Sequence, residues 1–307
     1  MLFNLVLSTF IILITQKIFL KKGLTEGVVN RSSHSKIATP SGGTSIFICI
    51  LIYTSYYYIN SDQIFDFSII IPLSILYTIG LYDDIYKVDF KLKFIFQIIV
   101  AKILIDLGFN IDSLNGFFNI YEIPYIYSQF LTLFIFLVIV NAINFSDGID
   151  GLAITEIIKS LVIIIILSSK NIDGGINKLF ISIIVLLVPL YFFNLKKDNK
   201  VFLGDSGSLL LGGVLFIALI NMINTYSVES YKINSFLLIF IIVLYPLVDL
   251  IQVVLKRLKM GLSPFIADNN HIHHKLIKRG FNHLQTLFLI SLISGALQLV
   301  LILYLAS

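Results

Sequence analysis

The chain has 307 residues, 57% of them hydrophobic and 13% charged, with a mean hydropathy of +0.95. A soluble domain carries roughly 25% charged residues, so this composition excludes a soluble globular protein. The net charge of +4 becomes informative only when divided among loops, and a lone cysteine, Cys49, excludes a disulfide framework within one chain.

Met1 opens directly on an apolar stretch without a basic n-region or small-residue cleavage site, which reads as a first transmembrane helix and not a removable signal peptide. A bilayer core takes about 20 apolar residues per helix. Ten segments qualify, near residues 3–20, 43–60, 67–82, 93–108, 126–145, 152–169, 178–194, 207–225, 235–254 and 285–305. The fourth carries Lys102 and the sixth Glu156 and Lys159, so those side chains must face protein, water or an interface. Alternation suited to a barrel is missing, and open sheet edges cannot span lipid. The expected fold is therefore all-α: a polytopic integral membrane protein of about ten transmembrane helices, forming a single domain over 1–307.

The loops fall into two alternating sets. The set 21–42, 83–92, 146–151, 195–206 and 255–284, with Lys93 at its rim, holds sixteen lysines and arginines, while the opposite set holds only Lys170, Lys178 and Lys232. The positive-inside rule puts the first set in the cytoplasm and both termini outside. Every unusual polar cluster belongs to that set, so five loops far apart in sequence can converge on one face.

The first of these loops carries Asn30 to His34 and then Thr39 to Gly43. Next come Asp83 and Asp84 at the end of the third segment. Adjacent residues on a helix point about 100° apart, so one acid can hold a metal or a proton while the other orients a partner; helix capping is the plain alternative. The central stretch NAINFSDGIDGLA, Asn141 to Ala153, joins two apolar runs and holds Asn144, Asp147, Gly148 and Asp150 without a basic residue. Carboxylates at a hydrocarbon boundary suggest function, although Asp and Gly are also ordinary turn residues. In VFLGDSGS, Val201 to Ser208, Asp205 and Ser206 sit where a helix begins. They could cap it, its N–H groups could bind an anion, or Asp205 could carry a cation that binds phosphate. The last loop ends in His271, His273 and His274. Zinc would need a fourth ligand that the sequence does not name, and the surrounding lysines and arginines suit a polyphosphate better. Acids for Mg²⁺ and basic groups for anions on one face suit phosphoryl transfer, and a site at the membrane boundary implies a lipid substrate.

The ordered set DD, NxxNxxDGxDGLA, FLGDxGS and DxxHxHH, spanning about Asn30 to His274, resembles the polyprenyl-phosphate N-acetylhexosamine-1-phosphate transferases. The ten-helix layout with both termini outside is similar to the peptidoglycan-precursor branch. The SPFxxDxxHxHH loop is instead similar to the branch that uses GlcNAc-1-phosphate and undecaprenyl phosphate to start O-antigen, enterobacterial common antigen or teichoic acid synthesis, and the loop, which meets the sugar nucleotide in the family, decides between them. The resemblance implies transfer of a sugar-1-phosphate from a UDP-N-acetylhexosamine to a polyprenyl phosphate, with release of UMP and use of Mg²⁺, for which Mn²⁺ can stand in. Carried over by position, Asn144 and Asp205 would hold the metal, and Asp83 and Asp84 would be the catalytic acids. Asp147, Gly148, Asp150, Phe202 and Lys36 would meet the nucleotide, with Phe202 stacking on uracil. Lys93, His271, His273 and His274 would bind phosphate and sugar. The segment between Asn194 and Phe202 lacks the His-Pro common in the family, and Thr44 stands where a third glycine is frequent. The resemblance further implies the bacterial cytoplasmic membrane, a lipid bilayer partner, no nucleic acid, and room for a homodimer.

The rival reading is a transporter or lipid flippase with an acidic ion path. It expects ionisable residues near the bilayer midplane and a pair of broken helices. Here the acids cluster at helix ends, apart from Glu156 and Asp249, and Pro72, Pro189 and Pro246 do not mark matching halves.

Overall fold

The computed structural model describes residues 2–25, 38–60, 67–168, 175–225, 234–263 and 270–306. Lys36, the 30–34 cluster and residues 264–269 lie outside them. Each of the ten apolar segments is helical: α1 Leu2–Lys21, α2 Gly42–Ile59, α3 Ile70–Tyr86, α4 Phe90–Asp106, α5 Tyr125–Ser146, α6 Leu152–Leu167, α7 Gly175–Leu195, α8 Gly204–Thr225, the pair α9 Ser235–Ile242 and α10 Leu244–Lys259, and α12 His283–Ala306. A short α11, Ile272–Lys278, precedes the last. Among the described residues, seven helices are long and apolar enough to cross a membrane, or eight if α9 and α10, bent by 80° at their break, are counted as one span. The fourth and sixth segments fold as helices of 17 and 16 residues, at or below the short end of the range for a span. The protein is an all-α, multi-pass membrane protein.

The chain divides into two compact units, Met1–Phe96 with Ser169–Leu211, and Gln97–Ser168 with Gly212–Ser307.

In the first unit, α1, α2 and α7 pack together and α3 packs on α2. Water does not drive helices together inside lipid, so polar side chains act as ties: Thr15 on α1 shares a 2.6 Å hydrogen bond with Ser45 on α2. The unit's only strand pair among the described residues is β1 Ala38–Thr39 running parallel to β2 Lys200–Val201, with Ala38 opposite Lys200. The ladder continues as Phe202 N–H donates to Thr39 O at 2.9 Å, and as Gly42 and Gly43 N–H donate to Phe202 O and Leu203 O at 3.0 Å each. The Thr39–Gly43 cluster is thereby docked on the Val201–Ser208 cluster, which fixes where α8 starts.

In the second unit, α10 packs along α5, and α12 packs against α6, α9, α10 and α11. The bend between α9 and α10 has a local cause. Pro246 has no N–H, so the carbonyl of Ile242 lacks its partner one turn on. Ser160 Oγ donates to that carbonyl at 3.1 Å, and Gln298 Nε2 donates to it at 2.8 Å and to Ile241 O at 3.1 Å. Pro189, by contrast, lies inside a continuous α7, and Pro72 sits in the first turn of α3, where a missing N–H is harmless. Glu156 is fully buried and pairs with Lys159 at 2.7 Å; Lys159 also donates to Ser294 of α12 at 2.7 Å. Lys102 is exposed and pairs with Asp106. Glu156 and Lys159 of the sixth segment thus face protein, while Lys102 of the fourth is exposed. One bent pair is present among the described residues, not the two that a transporter with inverted repeats requires.

Candidate active site

The first unit holds five of the described candidate residues, Asp83, Asp84, Lys93, Phe202 and Asp205. α3 ends at Tyr86 because Lys87 turns into the left-handed region, φ 56°, with its N–H on Asp83 O at 2.9 Å. Asp83 Oδ1 then accepts the N–H of Val88 at 2.6 Å. A carboxylate at a helix C-terminus faces the negative end of the dipole, and a cation offsets this: Lys93 Nζ lies 3.0 Å from Asp83 Oδ2 and 2.8 Å from Asp205 Oδ2. Asp83 and Asp205, offered by the sequence to a proton or a metal, thus share a basic partner: the short link from α3 to α4 brings Lys93, in the first turn of α4, onto both carboxylates.

Asp84 points elsewhere, as adjacent helical positions require. Its Oδ1 accepts Asp205 N–H at 2.8 Å and its Oδ2 accepts Ser206 N–H at 3.0 Å. It caps the N-terminus of α8 from another helix, occupying donors that the sequence reading offered to an anion. The close approach is permitted by Gly80, one turn earlier on α3: a Cβ there would stand 2.5 Å from Asp205 O and from Ser206 Cα. Phe202 is half-buried, its backbone fixed by the 38–43 segment. Asn194 is buried and donates to Val201 O at 2.9 Å, holding β2 from α7.

The second unit holds the remainder. Asn144 lies in the last turn of α5, Asp147 caps its C-terminus, and Gly151, φ 76°, opens α6. Asn141 is tied to Gln97 of α4 by a reciprocal amide pair, Nδ2 to Oε1 at 2.8 Å. Asn144, Asp147 and Asp150 are half-buried, while Gly148 is exposed to solvent on one side. On its other side is the histidine cluster: a Cβ on Gly148 would fall 2.3 Å from His273 Nε2. His271 and His273 stack with centroids 5.2 Å apart and planes at 12°, and the Phe145 ring meets His271 edge-on at 5.5 Å. The structure therefore joins two motifs about 120 residues apart, the central stretch and HIHH.

A residue not assigned to the site from sequence completes this cluster. Asp249 on α10 is fully buried, with Oδ2 2.6 Å from His271 Nδ1 and Oδ1 2.6 Å from the N–H of Ile272. Ligand atoms of Asp249, His271 and His273 all lie within 4.8 Å of one another, so this buried group could hold a metal ion. Asp249 was visible as a carboxylate inside an apolar run, but nothing in the spacing tied it to histidines 22 residues on. Gln97 gave no signal of its own.

Burial, followed by the neighbouring His274 and His271, lowers the pKa of His273 to about 3. An unfolded histidine titrates near 6.5, so below that pH the unfolded chain takes up a proton that the folded chain refuses. Stability should fall by up to about 1.4 kcal/mol per pH unit from this group between about pH 6.5 and 3. Thermal unfolding in detergent is expected to decline more steeply below pH 6.5 in the wild type than in His273→Leu. Equal slopes would assign the acid sensitivity to other groups.

The family model described as glycosyl transferase family 4 matches residues 66–223. That is 158 of 307 residues, just over half of the chain. The chain belongs to glycosyl transferase family 4. The matched family region contains Asp83, Asp84, Lys93, the central stretch and Asp205, while α10 and the histidines lie beyond it. The chain is also similar to individual proteins over most of its length. A Salmonella typhi undecaprenyl-phosphate alpha-N-acetylglucosaminyl 1-phosphate transferase is 29% identical over 299 residues, 94% of this chain and 79% of that protein. The Escherichia coli K12 protein of the same name is 28% identical over the same shares. A Bacillus subtilis protein named probable undecaprenyl-phosphate N-acetylglucosaminyl 1-phosphate transferase is 29% identical over 91% of this chain and 77% of its own length.

Proposed function

We propose that this member of glycosyl transferase family 4 transfers N-acetylhexosamine-1-phosphate, most simply GlcNAc-1-phosphate, from a UDP-sugar to undecaprenyl phosphate and releases UMP. The observation that carries the reading is Lys93, an ammonium held between the carboxylates of Asp83 and Asp205 at 3.0 and 2.8 Å. Two carboxylates converging on a cation at a helix end are a donor set that fits a hard divalent ion, and such ions keep the remaining positions for phosphate oxygens and water. Asp205, with Asn144, is the proposed holder of Mg²⁺, or of Mn²⁺ in its place. When bound, such an ion neutralises charge on the transferring phosphoryl group.

The chain's own residues then divide the work. Lys93 binds a phosphate oxygen, which its flexible stem allows it to reach from the two acids. Asp83, whose Oδ2 is freed as Lys93 moves, takes any proton remaining on the lipid phosphate. That demand is small, since a phosphate monoester has a second pKa of about 6. Asp84 keeps Asp205 in place by capping α8. The lipid phosphate oxygen attacks the sugar-bearing phosphorus, and the bond from that phosphorus to the bridging oxygen breaks, leaving UMP. Phe202 is proposed to stack on uracil, and Lys36, Asp147, Gly148 and Asp150 to meet the nucleotide. His271, His273 and His274 are proposed to grip the diphosphate and sugar. We propose that residues 1–307 work as one transferase domain. Basic loops facing the cytoplasm of the bacterial inner membrane, with both termini outside, complete the proposal; a homodimer is compatible with it.

A panel of UDP-N-acetyl sugars, given to the purified protein with Mg²⁺ and undecaprenyl phosphate, tests the reading. UMP release that needs the lipid, the ion and one donor is expected. Release without lipid, or from no donor by folded protein, would contradict it. Gly148→Ala provides a sharper local test. Its methyl group would enter the space of His273 Nε2, and displacement of a site by about 1 Å costs roughly 100-fold in rate. Turnover is expected to fall by about that factor with little change in melting temperature, and unchanged turnover would separate the histidines from the chemistry.

A further inference from the structure

The segment that carries the histidines is held by one face of α10. Asp249, Gln252 and Lys256 are spaced three and four residues apart, which places them in a single stripe along the helix. Each of them binds the segment from Asn270 to Lys275. Asp249 takes the His271 ring and the Ile272 N–H. Gln252 donates to Asn270 O at 3.1 Å and accepts from Lys275 Nζ at 2.5 Å. Lys256 Nζ donates to the Asn270 side chain. An apolar helix does not need a buried carboxylate to pack, and burying one is costly unless its partners are fixed. Here both carboxylate oxygens are matched, one to an imidazole and one to a backbone N–H at the start of α11.

We propose that Asp249 is a positioning residue: with Gln252 and Lys256 it fixes the His271 imidazole in one tautomer and orientation, leaving Nε2 for the diphosphate of a sugar nucleotide. The inference rests on the function proposed above, and adds to it a carboxylate outside the family motifs. A carboxylate on Nδ1 decides which ring nitrogen carries the fixed hydrogen and raises the basicity of the other. The stacked His273 and the edge of Phe145 complete a rigid seat for the ring. The 2.6 Å separation of Asp249 Oδ2 and His271 Nδ1 is a hydrogen bond, shorter than the spacing of two ligands around a tetrahedral ion with bonds of about 2 Å.

Asp249→Asn and His271→Ala are compared singly and together, by kinetics and by calorimetric binding of UDP-GlcNAc to protein in nanodiscs. Asp249→Asn is expected to raise the KM and Kd for the sugar nucleotide roughly 10- to 100-fold, the loss expected when one hydrogen bond to a charged group no longer orders the ring, with KM for undecaprenyl phosphate within twofold. The double variant should bind no worse than His271→Ala alone, because Asp249 acts through that ring; Asp249→Glu should recover part of the affinity. If Asp249→Asn does not fold, Gln252→Leu, which releases the same segment, should raise the same KM. Wild-type affinity in Asp249→Asn (or in Gln252→Leu, where that variant has to stand in), or losses that multiply in the double variant, would overturn the proposal. So would stoichiometric zinc in the purified wild type, which would make the trio metal ligands. Absence of wild-type UMP release with intact UDP-GlcNAc binding would count against the proposed reaction only, while binding still decides the role of Asp249.

Discussion

Asp205→Ala is expected to abolish transfer, with turnover falling by at least about 100-fold, while the protein inserts, purifies and melts almost as the wild type does. The asymmetry follows from what Asp205 touches. Its side chain accepts from Lys93 at 2.8 Å and is part-exposed, so removing it leaves no large cavity and strands no helix end, since Asp84 still caps α8. Lys93 keeps Asp83 as a partner. The expected loss lies in the stabilisation of charge on the transferring group, where deletion of one electrostatic contact costs roughly 10²- to 10³-fold. Turnover is to be measured across Mg²⁺ concentrations. A variant with wild-type turnover would remove Asp205 from the metal role, and one rescued by more Mg²⁺ would reduce it to an affinity contribution.

Asp84→Ala is expected to lose both activity and stability, and so to differ from Asp205→Ala although both remove a carboxylate from one cluster. Its two oxygens satisfy the Asp205 and Ser206 N–H groups at 2.8 and 3.0 Å. Losing an N-cap costs about 0.5–2 kcal/mol, and leaving buried donors unmatched costs about 1–3 kcal/mol. The start of α8 should loosen, and Asp205 with it. Melting temperature and turnover should fall together, and Asp84→Asn, which keeps an acceptor oxygen, should retain more stability than activity. An Asp84→Ala protein with wild-type melting and no turnover would instead make Asp84 a group that acts on substrate directly.

How much of this was legible beforehand varied with the physics behind each feature. Helix positions were readable because the hydrocarbon thickness sets a length that a hydropathy window detects directly. All ten segments fold as helices, and the bend near Pro246 has the proline as its cause. Which acid does what was not readable. Asp83 and Asp84 are neighbours with opposite assignments, one facing Lys93 and the other α8, and only the rotation of α3 against α8 at Gly80 decides that. The pairing of Lys93 with Asp83 and Asp205 depends on the same packing, 112 residues apart in sequence for the second acid. The histidines were legible as a cluster, but their supports on α10 were hidden. Gln252 and Lys256 are commonplace residues, and Asp249 looked like an isolated charge in an apolar helix.

In the proposed reaction a sugar-1-phosphate moves, and not a sugar alone, although the family carries the name of glycosyl transferases. The most direct test uses UDP-GlcNAc labelled with ³²P at the sugar-bearing phosphorus, incubated with the protein, Mg²⁺ and undecaprenyl phosphate. All transferred label is expected to enter the lipid, and the released nucleotide to be unlabelled UMP. Label leaving as UDP, with an unlabelled sugar on the lipid, would contradict that reaction.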